Sequence, residues 1–322
     1  MPQYDKEREP KTAGVMPIKS QVNAHSEYVR RVNRVIDYLR QNLDRPVKLE
    51  ELAEVACFSK FHFHRIFSAV SGETINECTN RLRMEKAARL LRFSHRNLTD
   101  IALDCGFSSS ATFSRAFRLT YETTPSQFRK TGEIQNSKIR KELSTGQEYV
   151  LPMSPEEKRA AFPVTLVDLP ERQIAYIRVI NAFEMNRVIA AFRTIIDWSK
   201  DQGIFSQGTL FGMTLDDPDV TPAHLYRYEV CFASSSSFEC AEGMSRLTLP
   251  AMRYAMTSVS GDLRLVATAW DFLVRDWLIN SAYEPEHAPA LEIFRNKEGA
   301  TDWSHFELDG YFPIKKLTQT GG

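Results

Sequence analysis

The chain has 322 residues and no net charge, yet residues 1–145 hold 25 Lys and Arg against 17 Asp and Glu, and residues 146–322 hold 16 against 24. The length suits two or three domains of roughly 100–200 residues each, and a basic half joined to an acidic one suggests that only the first meets a polyanion. No window nears the roughly 18 apolar residues of a spanning helix, the charged start lacks the apolar core of a secretion signal, and the five cysteines are an odd set without CxxC; the expectation is a cytoplasmic chain with reduced thiols, no membrane segment, and no zinc or disulfide framework.

Residues 1–25, with Pro2, Pro10, Gly14 and Pro17 among mixed charges, read as a flexible tail. From Glu27 to Asn42, Val29, Val32, Val35, Ile36 and Leu39 recur at helical spacing, and Asp44-Arg45-Pro46 stops that helix. Leu49 to Ser59 then runs into Phe61-His62-Phe63-His64-Arg65-Ile66-Phe67: a short helix, a tight turn and a second helix. Ser71-Gly72-Glu73-Thr74 is a turn, and Ile75 to Leu91 reads as one long helix with a basic flank of Arg81, Arg83, Lys86, Arg89 and Arg92. Leu98 to Ser108, running into Ala111-Thr112-Phe113-Ser114-Arg115-Ala116-Phe117, writes the same helix-turn-helix pattern about fifty residues later. Pro125 suits the first turn of a closing helix. The polar stretch 132–160 reads as a linker.

The second half has a repeat of its own, at an offset of 80. Leu169-Pro170 through Val179 matches Leu249-Pro250 through Val259. Each strand precedes an amphipathic helix ending in tryptophan (Val188 to Trp198, Val266 to Trp277), and each helix precedes two more strand-like runs. Those runs are Thr209 to Leu215 and Leu225 to Phe232, then Ala290 to Arg295 and Phe306 to Ile314. The fold class expected is multidomain: an all-α tandem helix-turn-helix domain (26–131), then an α+β domain of duplicated βαββ units (161–317), with a tail at 318–322. The seam between the two βαββ units is the expected pocket.

A recognition helix places three or four side chains on base edges in the major groove while neighbouring groups hold phosphates. In the first copy Phe61, His64 and Arg65 lie on the outer face, with Phe63, Ile66 and Phe67 packing inward. In the second, Ser110, Ala111, Thr112, Ser114 and Arg115 face out. Arg65 and Arg115 can each grip a guanine bidentately, and the basic flank containing Arg81 and Arg83 supplies phosphate contacts. His62 and His64, two apart on a helix, cannot share a metal.

In the second half Glu292 stands out. Aligning Leu210-Phe211-Gly212-Met213 with Leu291-Glu292-Ile293-Phe294 sets Glu292 against the apolar Phe211, and strand alternation puts it on the face of Phe294. A carboxylate on an apolar groove face needs a partner. A bound cation flanked by Phe294, Trp303 or Tyr311 would provide one; an internal pair with Arg253 or Arg295 is the competing reading.

These motifs carry a specific resemblance. The tandem arrangement, Ser59 through Phe67, Ile101-Ala102 through Gly106-Phe107, Phe113 through Phe117 and Thr124-Pro125-Ser126-Gln127-Phe128-Arg129 resemble the AraC/XylS transcription regulators, in the layout of the Rob type, over roughly residues 25–131. The resemblance implies two recognition helices entering successive segments of double-stranded DNA, with RNA polymerase as a further partner and no need of a dimer beyond a weak one. By position it carries over Phe61, His64 and Arg65, and Ser110, Ala111, Thr112, Ser114 and Arg115. Phe61 stands where relatives have tryptophan, His64 where they have glutamine, and Ser110-Ala111 where they have two glutamines, so the operator sequence does not transfer. Residues 162–316 resemble the GyrI-like (SHS2-type) domain through the Leu-Pro repeats, Ala290 through Phe294, and Gly310-Tyr311-Phe312-Pro313-Ile314-Lys315. That resemblance implies a small, amphipathic, often cationic effector with Glu292 as its acceptor, and no cofactor or metal. Some GyrI-like relatives are thought to hydrolyse small electrophiles, so a small-molecule hydrolase is the alternative; no nucleophile–base or paired-carboxylate constellation in this half supports it.

Overall fold

The computed structural model describes residues 24–131, 150–214, 216, 221 and 223–316. The predicted N-terminal tail up to residue 23, residues 132–149 of the predicted linker and the tail at 318–322 lie outside the described residues, as do the side chains at 24, 25, 60 and 61. No described helix is long and apolar enough to cross a membrane.

The first half is helical among its described residues: α1 Ala24–Gln41, α2 Leu49–Val55, α3 Lys60–Ser71, α4 Ile75–Phe93, α5 Leu98–Asp104, α6 Ser110–Tyr121 and α7 Pro125–Thr131. It has two cores rather than one. Val32, Val35, Ile36 and Leu39 of α1 pack with Leu52, Ala53, Phe63 and Phe67 in the first. Ile101, Ala102, Phe113, Phe117 and Phe128 build the second. Helix α4 belongs to both, giving Ile75, Cys78 and Leu82 to the first and Met84, Ala87, Ala88, Leu90 and Leu91 to the second. Its start is set by a capping box, in which Thr74 Oγ1 accepts from the Glu77 amide and Glu77 accepts from the Thr74 amide. Any movement of α4 therefore moves both helical pairs.

The second half opens earlier than the linker reading. Helix α8, Pro155–Ala161, starts on a Ser154 capping box inside the span read as linker, and Lys158 anchors it to Asp271 at 2.8 Å. The strands are β1 Thr165–Leu169, β2 Arg172–Ile180, β3 Thr209–Thr214, β4 Arg227–Ala233, β5 Ser245–Leu249, β6 Met252–Gly261, β7 Tyr283–Pro285, β8 Ala290–Phe294 and β9 Phe306–Lys316. All but β7, which pairs with β9, lie in the order β1-β6-β9-β8-β3-β4-β2-β5. With β1, β2, β3 and β4 of one unit equivalent to β5, β6, β8 and β9 of the other, that order reads the same from either end. Pro170 and Pro250 break each first strand from its second, which lets β1 cross to pair with β6 and β5 with β2. Helices α9 Met185–Asp201 and α10 Leu263–Asp271, the latter continuing as a π-turn to Trp277, cover one sheet face. Ile174, Phe211, Met213, Cys231, Leu291, Tyr254 and Tyr311 lie on the other.

Candidate nucleic-acid interface and ligand groove

Both helical pairs turn by the same device. The Phe58 amide donates to Ala53 O and the Phe107 amide to Ala102 O, each at 2.9 Å. Between them Cys57, at φ 53°, and Gly106, at φ 73°, take the left-handed conformation that reverses the chain. Only glycine does so without steric cost, so Cys57 is strained where Gly106 is not. Serine N-caps follow, Ser59 for α3 and Ser109 for α6. The second turn is one residue longer, so the repeat offset passes from 49 to 50 across it. Arg65 is thereby equivalent to Arg115, His64 to Ser114 and Phe61 to Ala111.

The inner face of each second helix is an i, i+4 phenylalanine pair at zero exposure: Phe63 and Phe67 with rings 5.9 Å apart, Phe113 and Phe117 at 5.6 Å. With those pairs turned inward, His64, Arg65, Ala111 and Arg115 stand exposed. Among the described residues neither Arg65 nor Arg115 has an ion pair or hydrogen bond, which leaves both guanidinium forks available. Ser110 and Ser114 are half-buried at the edge of the same face. Thr112 is partly committed elsewhere, since its hydroxyl lies 2.9 Å from the capping Ser109 hydroxyl. The Phe61 side chain lies outside the described residues. Arg118, exposed one turn beyond Arg115, joins this face; its i+3 spacing was legible in the sequence.

The basic flank of α4 is a different matter. Arg81 is nearly buried and bonded to Glu73 at 2.5 Å and Glu85 at 2.8 Å. Arg83 donates to the carbonyls of Leu43 and Arg45, both at 3.1 Å, and so ties the start of the first helical pair to α4. Lys86 donates to the Asp104 carbonyl at 2.7 Å. The expectation that Arg81 and Arg83 bind phosphate is therefore corrected: Arg81 is ion-paired within the fold, and Arg83 spends donors on two backbone carbonyls. The Arg81–Glu85 pair at i, i+4 is the signal that was overlooked.

The second face of interest centres on Glu292. On β8, Glu292 and Phe294 point to the helix-covered face, and Phe294 packs edge-on against Phe192 at 5.0 Å. Glu292 is half-buried and accepts from two neutral donors, the Tyr228 hydroxyl at 2.5 Å and Trp270 Nε1 at 2.9 Å. Burial, with Glu292 as its neighbour, pushes the Tyr228 phenol well above its ordinary range. Neither arginine of the competing reading reaches Glu292: Arg253 holds Asp168 at 2.6 Å and Arg295 holds Asp309 at 3.0 Å.

Two glycines make this arrangement possible. Glu292 pairs across the sheet with Gly212 on β3 and Gly310 on β9. A Cβ on Gly212 would lie 1.6 Å from the Tyr228 hydroxyl oxygen, and one on Gly310 would lie 3.3 Å from the Trp270 ring. Each missing side chain is the space its neighbour's donor occupies. Glu292 is thus the equivalent of Gly212, at the same offset of 80 as the Leu-Pro repeat, and not of Phe211. Phe211 faces the opposite side, as one residue of slip requires.

The same alternation corrects Tyr311. It neighbours Gly310, faces away from Glu292 and packs edge-on against Tyr254 at 5.9 Å. Trp303 packs against the core beneath the helices and edge-on against Phe306 at 5.6 Å, with its indole N–H buried and unpaired. Tyr228 and Trp270 are the partners of Glu292 that the sequence reading missed. A glycine in mid-strand, the usual mark of close approach, was the available clue.

Comparison with known proteins follows the same division. Residues 52–131 match a helix-turn-helix domain family, and residues 162–315 match a GyrI-like small molecule binding domain family. The chain is 36% identical over 108 residues to "Probable transcription factor PqrA" of Proteus vulgaris, covering 33% of this chain and 88% of that protein. It is 35% identical over 121 residues to "Transcriptional regulator Rob" of Salmonella typhimurium, covering 38% of this chain and 42% of Rob. It is 35% identical over 139 residues to "Right origin-binding protein" of Escherichia coli K12, covering 43% of this chain and 45% of that protein. The chain thus spans under half the length of the two larger relatives it matches.

Proposed function

We propose a function from one established premise: this chain belongs to the AraC/XylS family of transcription regulators, of the Rob type that joins a helix-turn-helix domain to a GyrI-like domain. On that premise it is a sequence-specific transcription regulator of double-stranded DNA whose activity responds to a small amphipathic cation. The observation that carries the DNA reading is the pair of exposed guanidinium groups, Arg65 and Arg115, at equivalent positions of α3 and α6 and without a partner among the described residues. His64, Ser110, Ala111, Ser114 and Arg118 flank them as further contacts, and Phe61 and Thr112 stay with this face by position. With α4 committed internally, phosphate affinity comes from the helices and turns around these arginines.

Glu292 supports the ligand reading. Among the described residues, this half-buried carboxylate is held by two neutral donors and by no cation. A lipophilic cation entering beside Phe294, Trp270 and Trp303 would supply the positive partner. The test uses the full chain, a duplex selected by it from a random library, and tetraphenylphosphonium as probe. The probe is expected to bind, to shift affinity for the selected duplex, and to lose both effects in Glu292→Gln. Tight probe binding retained in Glu292→Gln would refute the assignment, and failure to select any duplex would refute the regulator.

A further inference from the structure

Strand β4 carries unrelated partners on its two faces. Tyr228 points to Glu292 in the groove, while its neighbours Arg227 and Glu229 point the other way, into a set of buried charges shared with the DNA-reading domain. Arg178 on β2, 1% exposed, donates to Glu229 at 2.7 Å and to Asp37 of α1 at 2.5 Å. The Tyr176 hydroxyl reaches the same Asp37 at 2.7 Å. Asp216 holds Arg227 and Arg40 of α1, both at 2.6 Å. Glu85 of α4 accepts from Thr221 at 3.0 Å and from Arg81 at 2.8 Å, and lies 3.8 Å from Arg227.

This cluster is tightly held yet incompletely satisfied. Among the described residues, Glu229 Oε2, Arg40 Nη1 and Arg227 Nη1 are buried without a hydrogen-bond partner. Orphaned buried groups are costly, so pairings that satisfy a different subset compete with those seen. In a partly satisfied charge cluster between two domains, small displacements of one strand change which pairs form.

We propose that β4 is the coupling element of this protein: the state of Glu292 reaches α1 and α4 through Tyr228 and the Arg227–Glu229 side of the strand. The inference rests on the reading of Glu292 as the ligand acceptor. A cation that takes the carboxylate competes with the Tyr228 hydroxyl, whose oxygen fills the space that a Cβ on Gly212 would need. The displacement passes to the strand, and from the strand to the buried charges. Because α4 contributes to both helical cores, a shift there alters the relative placement of α3 and α6. Coupling of this kind is reciprocal, and typical values correspond to roughly 5–150-fold changes in an equilibrium constant.

Hydrogen exchange of the full, ligand-free chain tests it. Tyr228→Phe removes only the hydroxyl and should raise amide exchange in α1 (33–40) and α4 (81–89) about five-fold or more. Trp270→Phe removes the other donor to Glu292 but leaves the Tyr228 link on β4 intact, and should raise exchange in both segments less than Tyr228→Phe does. Asp37→Asn, on the far side of the cluster, should raise exchange in β8 and decides the matter if Tyr228→Phe does not fold. Wild-type exchange in α1 and α4 of a folded Tyr228→Phe, or an equal rise in Trp270→Phe, would overturn the proposal. Failure of tetraphenylphosphonium to bind would sink the ligand reading while leaving the exchange result to judge the coupling.

Discussion

Replacing Arg178 by methionine tests how the two domains are held. Arg178 is 1% exposed and Glu229 is fully buried, so water screens neither. Methionine keeps most of the aliphatic volume but strips the one cation that bonds Glu229 among the described residues, where its second oxygen has no partner. Breaking a buried ion pair from one side costs about 3–5 kcal/mol, because the remaining charge stays buried. That is roughly a third of a typical domain's 5–15 kcal/mol. All four tryptophans (Trp198, Trp270, Trp277 and Trp303) lie in the second domain, so their fluorescence during urea unfolding reports on that domain alone. With a slope of about 2 kcal/mol per molar urea, the midpoint should fall by about 2 M. Adding Glu229→Gln removes the uncompensated charge and should recover much of the loss. A fall below about 0.5 M, or a double variant no more stable than the single, would refute the reasoning.

The turn positions give a matched pair: Cys57→Gly should raise stability by about 0.5–1 kcal/mol by relieving a left-handed conformation. Gly106→Ala should lower it by about 2–5 kcal/mol, since its Cβ would lie 2.2 Å from the Leu43 carbonyl at φ 73°; thermal unfolding of the 26–131 region reports both. In the groove, Gly212→Ala should cost about 1–3 kcal/mol and Gly310→Ala less, following contacts of 1.6 and 3.3 Å. Equal costs would count against the close approach of Tyr228. Burial pushes the Asp216 carboxyl up, but Arg227 and Arg40 outweigh it and hold it well below the usual carboxylate range. Its contribution is thus complete above about pH 4 and fades as pH falls toward the folded value, so the stability gap between wild type and Asp216→Asn should be smaller at pH 3 than at pH 7. Glu85 has the opposite sign, its carboxyl being raised by burial and by Asp216, so its proton uptake on acidification favours the fold.

The parts of this structure that repeat locally were legible in the sequence. Inward phenylalanines four apart, a turn and an exposed arginine define both α3 and α6, because helical period alone decides which face is apolar. The duplicated strand-helix-strand-strand units were legible from their own repeat, and strand alternation put Glu292 and Phe294 on one face. Arg81 and Arg83 were misread because composition shows a charge and not its partner. Tyr311 was misplaced because the sequence does not show the register of β8 against β9: Glu292 pairs with Gly310, so Tyr311 beside it faces the other side. The alignment of Leu210 with Leu291 used an offset of 81 where the Leu-Pro repeat sets 80, which set Glu292 against Phe211 instead of Gly212. The charge cluster was not legible at all. Asp37 and Arg178, or Arg40 and Asp216, are more than 130 residues apart, and no period or spacing connects them.

Base preference of the full chain, read by selection from a random duplex library for wild type, Arg65→Ala and Arg115→Ala, bears most directly on the DNA-reading claim. Each alanine variant should lose preference at its own few base pairs, worth about 1–3 kcal/mol per bidentate contact, and keep it at the other's. Loss of affinity spread evenly over all sequences, or an unaltered motif in either variant, would contradict a chain that reads DNA with two equivalent arginines.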